Sequence, residues 1–184
     1  MKILAFNGSS HKDGNTASLL KEYLKGAESS SANTKMYNLY DLSYNDCVGC
    51  NGCKSMEDKA KCAQKDDLKN IYDEIYDADH IVIGSPVYMW QMNGRTKDFV
   101  DRFLPFLKQD YSSRIKGKKL SLLFTQGAAE KNAFMNYFNL TKDMFTFMGF
   151  DVKDIVVGEA MGFNQESRTR SLKEAFESGK NTVK

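Results

Sequence analysis

The strongest constraint on the fold is an alternation of short apolar runs with segments of helical periodicity, repeated five times along the chain. The run at residues 80–84 is continuous and rich in β-branched residues, which is typical of a parallel strand covered on both faces. Parallel strands need helical crossovers, and these are right-handed. The sequence therefore predicts an α/β fold with a doubly wound, five-stranded parallel sheet. The predicted strands are residues 3–6, 34–39, 80–84, 120–124 and 152–157.

The segments between these strands carry apolar residues at helical spacing, so that each presents one apolar face to the sheet. In the third segment we expect Arg102 to lie on a solvated or ion-paired face. The predicted helices lie after residue 16, at 66–79, at 94–104, at 131–148, which is the longest, and after the cap residue Asn164.

Residues 7–16 form a loop of small and hydroxyl residues between the first strand and the first helix. A helix start after such a loop directs free backbone N–H groups and a positive dipole end at an anion. Asn15 stands where a nucleoside-triphosphate loop has lysine, and only Gly8 and Gly14 are present where a dinucleotide loop needs three glycines. The loop therefore predicts a site for the terminal phosphate of a mononucleotide, with an ordinary turn as the alternative.

Three loops follow the carboxyl ends of predicted strands, where open α/β sheets bind their ligands. They are residues 7–16, 85–93 and 125–129. The first suits a phosphate, and the third offers an amide side chain and glycine N–H groups. The second contains Tyr88, Met89 and Trp90, which could pack against a flat ring, or belong to the core or to a subunit contact. Together the loops predict a planar heterocycle that carries a monophosphate.

The segment 40–66 lacks apolar periodicity and is predicted to be a loop inserted after the second strand. It contains all four cysteines, namely Cys47, Cys50, Cys53 and Cys62. The first three have the spacing that begins bacterial [4Fe–4S] ligation, and Cys62 could be the fourth ligand. A zinc site, a redox dithiol and unligated thiols remain alternatives.

Length and charge exclude several classes of protein. The 184 residues suit one domain over residues 1–184, and the net charge of +2 with interleaved signs predicts neither a nucleic-acid nor a membrane partner. The apolar segment at the amino terminus is too short for the hydrophobic region of a signal peptide. No apolar run in the sequence approaches membrane-spanning length. We therefore expect a cytoplasmic protein.

Four motifs resemble the NADPH-dependent FMN reductase family of the flavodoxin-like fold, and most of all its iron-sulfur flavoprotein branch. Residues 7–16 resemble the family's phosphate loop, and residues 47–53 resemble its compact cysteine cluster. Residues 85–88 are similar to the loop along the isoalloxazine ring, and 97–102 to the helix after it. The eight residues before Cys62 are a longer gap than that branch has.

The resemblance implies a set of FMN-binding residues. Around the phosphate it implies Ser9, Ser10, Lys12, Asn15 and Thr16; along the ring it implies Pro86, Val87, Tyr88 and Met89, which Trp90 follows; at the pyrimidine edge it implies Gln126 and Gly127. It also implies a homodimer or higher homo-oligomer. No catalytic acid or base is predicted, because the flavin carries the chemistry.

The predicted function is electron transfer from NAD(P)H through FMN to a small-molecule acceptor. One alternative is an iron-sulfur electron carrier between ferredoxin and other acceptors, and another is a non-enzymatic flavin-binding redox sensor. Two further proteins of this fold do not match. A response-regulator receiver needs carboxylates at the end of the first strand, where this chain has Asn7. A tyrosine phosphatase needs an arginine six positions after a cysteine, and no cysteine here has one.

Overall fold

A computed structural model describes residues 1–183, which form six β-strands and five α-helices. The strands are β1 (Lys2–Asn7), β2 (Asn33–Asn38), β3 (His80–Tyr88), β4 (Gln91–Met92), β5 (Lys119–Gln126) and β6 (Asp151–Glu159). The helices are α1 (Asn15–Glu28), α2 (Leu68–Asp77), α3 (Gly94–Asp101), α4 (Met135–Phe147) and α5 (Gln165–Thr182). Among these residues no helix combines the length and the apolar character needed to cross a bilayer.

Five strands are parallel and follow the order β2-β1-β3-β5-β6, which is the flavodoxin-like order. The predicted α/β class and doubly wound parallel sheet are therefore confirmed. The predicted number of strands was wrong, because β4 pairs with β3 as a short antiparallel strand. Two residues are too few to show a strand period in the sequence, so β4 could not be read from apolar alternation.

The sheet separates two apolar cores, and successive residues of β1 show why. Leu4 and Phe6 pack on the side of α2, α3 and α4, whereas Ile3 and Ala5 pack on the side of α1 and α5. Side chains alternate between the faces of a strand, so a continuous apolar run is needed to fill both cores.

Two helix predictions need correction. The fourth helix begins at Met135 instead of residue 131, because turns closed by the carbonyls of Glu130 and Asn132 come before it. The longest helix is α5, with 18 residues, and Asn164 caps it as predicted by accepting hydrogen bonds from the N–H groups of Glu166 and Ser167. Its weak apolar pattern made its length hard to read from the sequence.

Candidate functional site

A cleft of about 310 Å³ opens at the carboxyl edge of the sheet, beside the point where the strand order reverses between β1 and β3. Eight of the predicted cofactor residues line it: Ser9, Asn15, Thr16, Pro86, Val87, Tyr88, Gln126 and Gly127. Five lining residues were not predicted to bind the cofactor: His11, Gly14, Thr125, Gly162 and Phe163. The three loops predicted to meet at this edge therefore do meet there.

One end of the cleft is formed by the start of α1. A helix leaves its first N–H groups without partners inside the helix, and none of the described side chains caps α1. Gly14 lies directly before the helix and donates its N–H to the carbonyl of His11 at 3.0 Å. A Cβ atom on Gly14 would lie 2.9 Å from the Cβ of His11, so this turn requires glycine. The arrangement suits an anion that accepts several backbone hydrogen bonds.

The phosphate-type loop is tied to the start of α3. Gly8 donates its N–H to the carbonyl of Gly84 at 2.8 Å and accepts a hydrogen bond from Nδ2 of Asn93 at 2.7 Å. The Oδ1 of Asn93 also caps α3 by accepting from the N–H of Thr96 at 3.1 Å. A Cβ on Gly8 would lie 1.8 Å from Oγ1 of Thr96. Glycine at this position therefore allows β1, β3 and α3 to hold the loop rigidly.

Side chains at this end are already oriented by neighbours. Oγ1 of Thr16 lies 2.6 Å from Oγ1 of Thr125, and Oδ1 of Asn15 accepts a hydrogen bond from Arg168. The guanidinium also donates to Oγ of Ser18 at 3.1 Å. Arg168 therefore brings a positive charge beside the anion site, a contribution that the sequence analysis did not anticipate.

The rest of the cleft lining is largely apolar, and one of its residues has an unpaired polar atom. Pro86, Val87, Tyr88 and Phe163 contribute the apolar surface, and Phe163 is 85% exposed. Nε2 of Gln126 donates to the carbonyl of Glu130 at 2.7 Å. Its Oε1 is buried and has no hydrogen-bond partner among residues 1–183. A flat ring with an N–H at its edge would fit this part of the cleft, because it would satisfy that oxygen.

Four residues predicted to bind the cofactor do not line the cleft. Ser10 is exposed and hydrogen-bonds the neighbouring His11, and Lys12 forms an ion pair with Asp41 at 2.5 Å. Met89 and Trp90 form the turn between β3 and β4, with φ angles of 45° and 68°. Their side chains are 83% and 66% exposed because this left-handed turn directs them away from the sheet.

Two of the cleft residues that were not predicted, Gly162 and Phe163, could have been predicted from their place in the sequence. Gly162 and Phe163 follow β6, so they lie at the same carboxyl edge as the three loops that were considered. The rule that selected those loops therefore selects this one too.

The four cysteines line a second pocket, at the carboxyl end of α3, together with Arg102. They form no disulfide within the described chain, and among residues 1–183 no three metal-binding side chains converge on one point. The pocket holds about 10 Å³ of free space, so it must widen to take a metal–sulfur cluster. Burial, and then the neighbouring thiols of Cys62 and Cys47, raise the pKa of Cys53. Four thiols around one pocket are a donor set that suits an iron–sulfur centre and also a structural zinc site.

Cationic side chains fix the cysteine segment through its main-chain carbonyls. Arg95 donates to the carbonyls of Leu42 and Tyr44, Arg102 to that of Asn45, and Arg114 to those of Met56 and Glu57. Arg102 is ion-paired, as was expected of its helix face, but it is buried at 1% exposure instead of solvated. Hydrogen bonds from three arginines therefore fix the path of the segment.

The strand order and the cleft at its switch point define a flavodoxin-like α/β protein with a site for a phosphorylated heterocycle. A model of the NADPH-dependent FMN reductase family matches residues 1–160. The chain belongs to this family, as the motifs predicted.

Relatives and solved structures agree with that family. The chain is 27% identical to an iron-sulfur flavoprotein of Archaeoglobus fulgidus, over 89% of this chain and 69% of the relative. It is 35% identical to an iron-sulfur flavoprotein of Methanocaldococcus jannaschii, over 57% of this chain, and the match spans about half of that relative, 53%.

The fold is similar to that of an NAD(P)H:quinone oxidoreductase from Methanothermobacter marburgensis, with a TM-score of 0.80 at 14% identity, covering 100% of this chain and 98% of the other. It is also similar to a Bacillus anthracis FMN-dependent NADH-azoreductase solved with FMN, with a TM-score of 0.72 at 16% identity and 100% of both chains covered. At these identities the similarity establishes the fold alone.

Proposed function

We propose that the protein is an FMN-dependent oxidoreductase that takes electrons from NAD(P)H and passes them to a small-molecule acceptor. The observation that carries the proposal is the cleft itself. An uncapped helix start and the unpaired Oε1 of Gln126, both at residues of the described chain that line the cleft, suit the phosphate and the ring edge of one ligand. Family membership supports FMN as that ligand.

The residues that would hold FMN follow from their positions. Ser9, Asn15 and Thr16 lie around the helix start, where Arg168 adds positive charge. The loop of Pro86, Val87 and Tyr88 would lie along one side of the ring, and Gln126 and Gly127 would lie at its pyrimidine edge. Ser10, Lys12, Met89 and Trp90 lie outside the cleft, so they would contact FMN only after a movement of their loops.

Bound FMN supplies hydride acceptance from a nicotinamide and transfer of the electrons to an acceptor. The protein's part is to bind, orient and shield. The anchored loop at Gly8 fixes the phosphate end, while Tyr88 and Phe163, 54% and 85% exposed, border the open side that a nicotinamide or a quinone would approach. No proton transfer by a side chain is needed.

A second candidate function is electron transfer through a [4Fe–4S] cluster, with ferredoxin or another one-electron partner. The four cysteines around one pocket favour it, and the names of the relatives support it. A non-enzymatic redox sensor is the third candidate, and it would bind FMN without oxidising NAD(P)H. A cytoplasmic location remains a prediction from the sequence.

A homodimer whose interface lies beside the cleft is part of the proposal. Tyr88, Met89 and Trp90 expose large apolar surface beside the cleft, and Phe163 does so within its lining. Large exposed apolar side chains of this kind are common at subunit contacts. Sedimentation of the FMN-loaded protein would measure the oligomeric state, and a monomer at all concentrations would contradict this part.

The test of the main proposal is to load the protein with FMN and measure steady-state oxidation of NADH and NADPH with a benzoquinone as acceptor. We expect one FMN per subunit and weaker binding of riboflavin, because riboflavin lacks the phosphate. Asn15→Ala should weaken FMN binding by about 1 to 3 kcal/mol and leave riboflavin binding nearly unchanged.

Two exposed tyrosines provide a matched pair for the ring side of the cleft. Tyr88→Leu should lower turnover at an unchanged melting temperature, whereas Tyr111→Leu, at an equally exposed tyrosine away from the cleft, should leave turnover unchanged. FMN binding without any oxidation of NAD(P)H would reject the enzyme and favour the redox sensor. Absence of FMN binding would reject the site.

A further inference from the structure

Arg102 is a buried arginine whose guanidinium makes three hydrogen bonds through its Nη atoms. It follows α3, and its guanidinium holds Asp66 with both Nη atoms, at 2.7 and 3.2 Å, while Nη1 also donates to the carbonyl of Asn45 at 2.8 Å. Its own carbonyl accepts a hydrogen bond from the hydroxyl of Tyr72 at 2.7 Å. The Nε–H is buried and has no partner among residues 1–183.

An unpaired donor on a buried charged group costs free energy, so its location is informative. Arg102 lines the pocket that the four cysteines surround, whereas its partner Asp66 does not line it. The side chain therefore brings a positive charge to the wall of a pocket that the four cysteines line together with Asp101, whose carboxylate is paired with Lys97.

Other cations near the cysteines are already occupied. Nε of Arg114 donates to the carbonyl of Glu57 at 2.8 Å, and its Nη1 donates to the carbonyls of Pro105 and Leu107 at 3.0 and 2.6 Å. Lys54 donates to the carbonyl of Lys108 at 3.0 Å. Neither has the combination of burial, an unused N–H and a place on the cysteine pocket that Arg102 has.

We infer that Arg102 is the charge-compensating hydrogen-bond donor of an iron–sulfur centre held by Cys47, Cys50, Cys53 and Cys62, and that it raises the reduction potential of that centre. The inference rests on the second candidate function above. Four thiolates make such a centre anionic, and each electron it accepts makes it more so. A nearby positive charge and a hydrogen bond to sulfur therefore favour the reduced form.

Because Arg102 is paired with Asp66, replacing each partner in turn should shift the midpoint potential of the centre in opposite directions. Arg102→Gln removes a positive charge close to the centre, so the midpoint potential should fall. Asp66→Asn leaves Arg102 in place and removes the negative charge that partly neutralises it, so the potential should rise. A purely structural role predicts the same effect for both variants, because each breaks the same buried pair.

The experiment uses the FMN-loaded protein, reconstituted anaerobically with ferrous iron and sulfide. Iron, sulfide and FMN contents are measured first, and the potential is then followed by electron paramagnetic resonance during a redox titration. Arg102→Lys should keep most of the wild-type potential because it keeps the charge. Arg114→Gln is the matched control, since it removes an arginine that ties down the same segment without lining the pocket.

Removing one partner of a buried ion pair can prevent folding, so the experiment also includes a variant in which both partners are replaced. Arg102→Gln with Asp66→Asn leaves no buried charge unpaired, and its potential should still lie below that of the wild type, because Arg102 is the member that lines the pocket. Full iron content with the wild-type potential in this variant would overturn the inference. Opposite shifts in the two single variants would support it.

The outcomes for the inference and for the proposed functions differ. Wild-type protein that takes up FMN but no iron under these conditions would overturn the inference and the iron–sulfur function together, and would leave the FMN-dependent oxidoreductase standing. Protein that binds iron but no FMN would overturn the FMN-dependent oxidoreductase and would leave the iron–sulfur function and the inference about Arg102 standing.

Discussion

At the scale of single residues, Gln126 provides the sharpest test of the cleft. Its Oε1 is buried without a partner among residues 1–183, although its Nε2 is held by the carbonyl of Glu130. A buried acceptor left unsatisfied destabilises the ligand-free protein, whereas a ligand N–H at that position would recover the loss. The residue is therefore suited to bind a ring edge and poorly suited to a purely structural role.

We expect Gln126→Leu to weaken FMN binding much more than it weakens the fold. The ligand-free variant should lose little stability, because removal of the unpaired oxygen offsets the loss of the hydrogen bond from Nε2 to the carbonyl of Glu130. FMN affinity should fall by about 1 to 3 kcal/mol. Urea unfolding of ligand-free protein and fluorescence titration with FMN measure the two effects. A loss of stability with unchanged FMN affinity would mean that Gln126 serves the fold and not the cofactor.

Residue roles were only partly predictable from the sequence, and Arg102 and Trp90 show why. Arg102 has the sequence surroundings of a surface helix residue, and its burial depends on the cysteine segment folding over it. Trp90 follows a strand that ends at the cleft, but the left-handed turn that it shares with Met89 directs both side chains away from it. Both outcomes depend on backbone geometry that residue type does not encode.

At the scale of secondary-structure elements, α1 and α5 are held together by two glycines. A Cβ atom on Gly26 would lie 2.0 Å from the carbonyl oxygen of Phe176, and one on Gly179 would lie 1.9 Å from that of Tyr23. The two helices can approach this closely only without side chains at these positions. Because the start of α1 lines the cleft, this packing also fixes the cleft.

We expect Gly26→Ala to destabilise the protein by about 1 to 3 kcal/mol, because the added methyl group overpacks the contact between the helices. The sign is informative, since alanine in a helix is otherwise favoured over glycine by about 1 kcal/mol. Gly94→Ala is the control, because no described atom lies within 4 Å of a Cβ placed there. Urea unfolding would measure both variants. Equal stability of Gly26→Ala and the wild type would show that the helices can separate without loss.

Elements with long periodic patterns were predictable, and elements set by tertiary contacts were not. The five parallel strands and Asn164 as a helix cap follow from local patterns. The start of α4 does not, because the turns before it are anchored elsewhere in the fold: Gln126 binds the carbonyl of Glu130, and Lys131 binds Glu174 of α5. The strand β4 exists only because a tight turn returns the chain beside β3.

At the scale of the whole molecule, a buried polar network joins the sheet to the helical layer of α1 and α5, at the sheet edge opposite the cleft. Nε2 of His80 in β3 lies 3.0 Å from Oγ of Ser121 in β5, and its Nδ1 lies 3.1 Å from Oγ1 of Thr182 in α5. The hydroxyl of Tyr23 in α1 also lies 3.0 Å from Oγ of Ser121. The network thus includes residues of four elements, and His80 at its centre has no exposed surface.

This network should make global stability depend on pH. Burial, followed by the positive charges of Lys119 and Lys153, lowers the pKa of His80 from 6.5 to about 4. A histidine whose pKa is lower in the folded protein stabilises the fold above its unfolded pKa, and this contribution is lost as the pH falls from about 6.5 towards 4. The full contribution is about 3 kcal/mol, of which about 2 kcal/mol should disappear between pH 7 and pH 5.

Urea unfolding of the wild type and His80→Gln at pH 7 and pH 5 would measure this effect. Carboxyl groups also titrate in this range, but they change the stability of both proteins alike, so the difference between the two proteins reports on His80. We expect the difference in stability between the two proteins to shrink by about 2 kcal/mol at the lower pH, because glutamine takes up no proton. His11→Gln is the control, since His11 is the only other histidine in the sequence and lies exposed at the cleft. That variant should follow the wild type at both pH values. If the wild type and His80→Gln lost stability equally on acidification, His80 would have to accept a proton within the folded protein, and its network would not control acid unfolding.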